Sequence, residues 1–161
     1  MKSVLISIRP RWCAKIANGN KTIEVRKTRP KLGTPFKVYI YCTLPGTKDP
    51  RQILELHGAD GKICKANGKV MGEFVCDKIY ELTPINHAPD DTEQQACLTR
   101  EEIVRYLKGV GYGWHISDLK IYEQPRKLDE FAGIRTMKNG FELRLLDRPP
   151  QSWCYVAEGQ R

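Results

Sequence analysis

The chain has 161 residues, with 27 Lys and Arg against 19 Asp and Glu, a formal net charge of +8 at pH 7. Hydrophobic residues at 40% and charged residues at 29% are enough for a core and exclude a disordered chain, while no apolar run nears the roughly 20 residues of a membrane helix. The length is that of one domain, residues 1–161 with an insertion at about 44–68, and the positive surplus favours anionic partners, nucleic acid first.

The first strand is read at Val4-Leu5-Ile6-Ser7-Ile8. This run stops at Arg9, too short for a secretory segment, which points to the cytoplasm. Pro10 suits the opening turn of a short helix, with Trp12, Cys13, Ile16 and Ala17 inward and Gly19 as a left-handed cap. From Thr22 to Thr28, polar Thr22, Glu24 and Arg26 alternate with apolar Ile23 and Val25, the period of a strand with one face in the core. Lys21 has the opposite parity to Glu24 and Arg26, so it should lean toward the interior or the mouth of a barrel.

Phe36, Val38, Ile40 and Cys42 alternate with Lys37, Tyr39 and Tyr41 in a third strand. Residues 44 to 68 carry the turn signals Pro45-Gly46, Asp60-Gly61 and Asn67-Gly68, and read as a loop-rich excursion with one short helix near Ile53 to Leu56. Val70 to Ile79 is a strand apolar on both faces except at Glu73, whose carboxylate must be paired or functional, since burying it alone is costly. Thr99 and Glu102 form a capping box opening a helix through Ile103 and Leu107 to Gly109. The glycines of Gly109-Val110-Gly111-Tyr112-Gly113 end that helix and bend the chain into a strand at Trp114 to Ile121. Asn139-Gly140 marks a hairpin, and Trp153 to Val156 is the last strand. About six short strands with two main helices and no regular β-α alternation predict an α+β fold, a small mixed β-barrel with peripheral helices.

The six cysteines show no CxxC pair and no histidine at zinc-ligand spacing. Reduced thiols serving as small hydrophobes fit this pattern, with no metal site and no disulfide framework. No cofactor motif is present either, because the glycine run at 109–113 follows a helix and lacks the Lys-Ser/Thr of a phosphate loop.

The densest chemistry lies in Gly19-Asn20-Lys21-Thr22-Ile23-Glu24-Val25-Arg26-Lys27, where a turn is followed by an amine, a carboxylate and a guanidinium. A desolvated Lys21 could serve as base or nucleophile. Alternatively, Lys21 and Arg26 hold a phosphate or base carbonyl while Glu24 accepts from an amino group, which demands less of the residues. Aromatic and basic residues interleave at Arg9-Pro10-Arg11-Trp12, at Tyr39 and Tyr41, and at Tyr112 and Trp114, a mixture suited to stacking bases. Among these, Trp114 is the first choice for a stacking platform.

Ser7-Ile8-x-Pro10, Ile16 and Gly19-x-Lys21-x-x-Glu24-x-Arg26, with Trp12, Tyr112-x-Trp114-x-Ile116 and Pro149-Pro150-Gln151-Ser152-Trp153-x-Tyr155-Val156, resemble the ASCH domain and its GxKxxExR motif. The likeness is to small stand-alone ASCH proteins of bacteria and phages. It implies a PUA-like β-barrel whose cleft binds RNA or a nucleotide, with Arg9, Trp12, Lys21, Thr22, Glu24, Arg26, Tyr112 and Trp114 as the ligand-binding set. Some small relatives hydrolyse the amide of N4-acetylcytidine with a lysine of the motif, a threonine three residues on and a glutamate further along. In that amidohydrolase reading, which extends to related modified nucleosides, Lys21 matches the lysine, Glu24 stands where the threonine would, and the downstream glutamate is either Glu73 or Glu93.

Overall fold

A computed structural model describes residues 2–46 and 52–157. In chain order the elements are β1 (Lys2–Ile8), α1 (Pro10–Ala17), β2 (Ile23–Arg26), β3 (Phe36–Cys42), β4 (Glu55–His57), β5 (Ile63–Lys65) and β6 (Lys69–Leu82). They continue with α2 (Thr92–Ala96), α3 (Arg100–Leu107), β7 (Gly111–Lys127), β8 (Ala132–Met137), β9 (Gly140–Leu145) and β10 (Trp153–Ala157). The fold is mostly β, with the helices at the periphery.

Eight strands form one sheet in the order β2-β7-β6-β3-β1-β10-β8-β9, and β4 and β5 pair separately. Within the large sheet β1 and β3 run parallel and the other neighbours antiparallel. The long β6–β7 ladder shifts register between Val70 and Gly72, between Glu73 and Val75, and between Cys76 and Ile79. Irregularities of this kind bend and twist a strand pair. The core gathers Val4, Ile6 and Ile8 of β1, Val38 and Ile40 of β3, Phe74 and Cys76 of β6, and Trp114 and Ile116 of β7, with Cys13 and Ile16 of α1 packed into it. A second cluster joins Leu5, Tyr39, Tyr41, Val70, Phe131 and Val156. The third places Ile23 and Val25 against Leu82 of β6, Ala96 of α2, and Ile103 and Leu107 of α3.

The expected closed barrel of about six strands is therefore an open sheet of eight. Two features account for the difference. The strand predicted to stop at Ile121 runs on to Lys127, and a hairpin turning at Lys138-Asn139, one residue before the expected Asn139-Gly140, joins two further strands at the far edge. Between β2 and β1, side chains take the place of a backbone ladder: Arg26 donates to the Ser7 carbonyl at 2.7 Å and to Ser152 Oγ at 3.2 Å. Nearby, Trp153 Nε1 donates to Thr28 Oγ1, and the Lys31 N–H donates to the Tyr155 hydroxyl.

Other local expectations are met where turn chemistry is specific. Thr99 and Glu102 cap α3 reciprocally, at 3.0 and 3.1 Å, and Lys108 rather than Gly109 takes the left-handed end position. Gly19 is left-handed with φ +84°, ending the first helix as anticipated. The helix expected near Ile53 to Leu56 is instead β4, where Leu56 pairs with Cys64 across a turn containing Gly61 at φ +81°. Of the stretch read as an insertion, residues 47–51 lie outside the described set. The glycines at 111 and 113 do not bend toward a cleft but lie within β7. A Cβ at Gly111 would sit 2.2 Å from Leu107 Cδ2 and 3.0 Å from the Arg26 carbonyl, so glycine lets α3 and β2 approach β7. Among the described residues, no helix is long and apolar enough to cross a membrane.

Candidate functional site

The site begins at the turn after α1. The Lys21 N–H donates to the Lys15 carbonyl, the Thr22 N–H donates to the Gln95 carbonyl, and the Thr22 carbonyl accepts from Ile116 N–H. These bonds hold Lys21 before the first residue of β2, so strand alternation does not govern its direction. Its side chain, only 2% exposed, turns toward Glu24 rather than away from it. The Nζ donates to the Ala96 carbonyl at 2.5 Å, stands 3.5 Å from Glu24 Oε1, and lies 5.0 Å from the centre of the Trp12 ring.

Glu24 links the two cations. Its Oε2 accepts from Arg26 Nε at 3.0 Å and from Nη2 at 2.7 Å, so two guanidinium donors converge on one oxygen. All three residues are buried, and one carboxylate faces two cationic side chains. Burial lowers the Lys21 pKa from its ordinary 10.5, Glu24 pulls it back up, and Arg26 adds to the lowering, with a net shift downward.

The trio forms the floor of a cleft of about 540 Å³. Arg9 and Trp12, Glu102, Arg105 and Tyr106 of α3, and Ser7, Thr43 and Gln151 line it as well. Volumes of this size suit a nucleoside-sized ligand. Arg9, Trp12, Lys21, Glu24 and Arg26 are thus brought together as the sequence suggested.

The remaining candidates fall elsewhere. Trp114 is fully buried, edge-on to Phe36 at 5.9 Å and to Trp153 at 6.1 Å, and packs the core rather than offering a face to a base. It stands opposite Glu24 in the β2–β7 register, and Tyr112 opposite Arg26, but neither lines the cleft. Tyr112 is half-buried against the same core. Thr22 is occupied with Gln95, its Oγ1 lying 3.0 Å from Gln95 Oε1. Glu73 is paired and does not line the cleft: Lys37 Nζ lies 3.0 Å from it, and the Tyr122 hydroxyl donates to it at 2.8 Å. Burial raises its pKa, yet these two bonds outweigh that and hold it below the usual carboxylate value. Glu93 engages His87 and Arg100.

Sequence reasoning missed the α3 wall. Glu102 was read only as the capping residue, and Arg105 and Tyr106 stand three and four positions on, the spacing of one helix face. That spacing was the available signal.

No family model and no curated protein sequence matches the chain. Among solved structures, an ASCH protein of Zymomonas mobilis superposes with a TM-score of 0.59 at 18% identity, covering 97% of this chain and 88% of that one. The chain has the ASCH-domain fold. Two point variants of the Zymomonas protein match similarly, at 19% identity over 98% of this chain and 92% of the other, and at 18% over 97% and 89%, each with a TM-score of 0.59. Within this ASCH fold, Lys21, Glu24 and Arg26 of the GxKxxExR stretch line the cleft together with Arg9, Trp12 and residues of α3.

Proposed function

We propose that this chain binds RNA, or a nucleotide, in the cleft above Lys21, Glu24 and Arg26. The observation that carries the reading is the buried trio itself: two cations share one carboxylate at the floor of a nucleoside-sized cleft, leaving a local positive surplus where a ligand would sit. Such a floor favours a phosphate or a base carbonyl. Arg9 and Arg105 at the walls extend the positive field, and Trp12 supplies an aromatic face beside it. Buried charge of this kind rarely adds net stability, so a role in binding gives it a purpose.

Titration of single-stranded RNA at several salt concentrations tests the reading. The logarithm of the association constant should fall by about 0.7 per contacted phosphate for each tenfold rise in salt. Trp12→Ala should remove about 1–3 kcal/mol of affinity if the ring stacks on a base. Salt-insensitive affinity, or full affinity in Trp12→Ala, overturns the corresponding contact.

A second reading is favoured by one observation, the downward shift of Lys21. A neutral amine there could act as base or nucleophile in hydrolysing an acylated cytidine or related modified nucleoside. The carboxylate 3.5 Å away favours the ammonium and opposes that role. Incubation with N4-acetylcytidine separates the two readings: turnover lost in a folded Lys21→Ala protein supports the amidohydrolase, and absence of turnover in wild type removes this substrate from it.

A further inference from the structure

The eight-stranded sheet ends at β9, and among the described residues no strand pairs with its outer edge. Exposed edges are templates for another strand, and natural proteins blunt them with prolines or inward charges. This edge strand has no proline, and its two charges, Glu142 and Arg144, are of opposite sign. Phe141, Leu143 and Leu145 are 70%, 51% and 59% exposed, and by strand alternation they share one face.

The same three residues carry the free backbone groups. In the β8–β9 hairpin Met137 pairs with Gly140 across a two-residue turn, which makes that pair hydrogen-bonded. At the other end the Leu146 N–H donates to the Phe131 carbonyl at 2.9 Å, in the same alternation. Even-numbered residues of β9 therefore bond inward to β8, and Phe141, Leu143 and Leu145 direct their N–H and C=O groups outward.

We infer that β9 pairs antiparallel with β9 of a second copy of this chain, about a two-fold axis at Leu143. The strand is self-complementary about that residue. With Leu143 opposite Leu143 of the second copy, Phe141 meets Leu145, and Glu142 meets Arg144 on the opposite face. Opposite charges therefore face each other twice by symmetry, and each outward N–H and C=O of the three apolar residues finds a partner. Isologous contacts of this form close on themselves and stop at a dimer. Register is specified too, because a slip of one residue sends every side chain to the wrong face. β2 lies at the other end of the strand order, so the pairing occupies the edge of the sheet remote in order from the cleft.

Sedimentation equilibrium of the full chain from micromolar to near-millimolar concentration tests the pairing, with melting curves confirming that each variant is folded. Wild type should show a monomer–dimer equilibrium. Leu143→Lys, at an exposed position, places like charges directly opposite across the axis and should weaken association by about tenfold or more. Arg144→Glu and Glu142→Arg should each weaken their own homodimer, and an equimolar mixture of the two should associate again, because every 142–144 pair is then of opposite charge. A chain that stays monomeric throughout, a dimer indifferent to Leu143→Lys, or a mixture no better than its components overturns the inference.

Discussion

The two ends of the large sheet reverse the usual partition in opposite senses. At β2, Glu24 and Arg26 are buried together with the neighbouring Lys21, whereas at β9 Phe141, Leu143 and Leu145 face solvent. Scattered exposed apolar residues are ordinary, but buried charges and a contiguous apolar stripe on an open edge are informative. The charges at β2 are tolerable because each has partners: Lys21 has the Ala96 carbonyl and Glu24, and Arg26 has Glu24, Ser7 and Ser152. Among the described residues, the apolar side chains of β9 lack such compensation. One end is completed internally and the other by association.

The comparison breaks most readily at the cleft end, where two substitutions should have the largest effects. Trp114→Ala removes a fully buried ring behind Glu24 and should lower the unfolding free energy by about 3–5 kcal/mol. Arg26→Ala strips the guanidinium from a buried carboxylate and opens the side-chain bridge to β1, with an expected loss of about 3–5 kcal/mol. Denaturant unfolding measures both. A loss under about 1 kcal/mol for Arg26→Ala would mean that the trio is far better solvated than its burial implies.

A smaller effect concerns pH. Below the lowered Lys21 pKa both folded and unfolded chains hold the proton, and the cost of burying the ammonium is fully present. Between that value and 10.5 the unfolded chain still holds a proton that the folded chain has released, so this contribution makes stability rise with pH. The stability of wild type relative to Lys21→Met should therefore climb as pH rises through the lowered Lys21 value toward 10.5. Burial pushes the Cys76 thiol up to about 12 and Cys154 up to about 11, which destabilises the folded state once unfolded thiols ionise above their ordinary 9.0, but both proteins share that loss. An equal difference at neutral and alkaline pH contradicts the expected titration. The smallest effect belongs to the far edge: Phe141→Ser, measured at concentrations where the chain is monomeric, should change stability by no more than about 0.5 kcal/mol.

Legibility followed the range of the interactions. Gly19, the Thr99–Glu102 box and the alternation of 36–42 announce their structures within a few residues, and each is found in place; the hairpin signalled by Asn139-Gly140 is present too, with its turn one residue earlier and Gly140 opening β9. Lys21 was assigned a direction from strand parity, although its own backbone bonds keep it outside the strand. Trp114 is a sequence candidate for stacking that the structure buries in the core, and the glycines before it, Gly111 and Gly113, serve the packing of α3 and β2. Glu73 was recognised as needing a partner, and Tyr122, 49 residues away, is one that no local pattern reveals.

What the sequence by itself determined was therefore a set of local elements and one dense cluster of charge at residues 19–27. Tertiary structure decided whether the sheet closes, which of those charges meet, and which edge stays open. The Lys21–Ala96 bond spans 75 residues and the Arg26–Ser152 bond 126. Turn chemistry and periodicity act over one or two turns of chain, whereas contacts such as these depend on strand order, which emerges only when the whole chain has buried its apolar faces together.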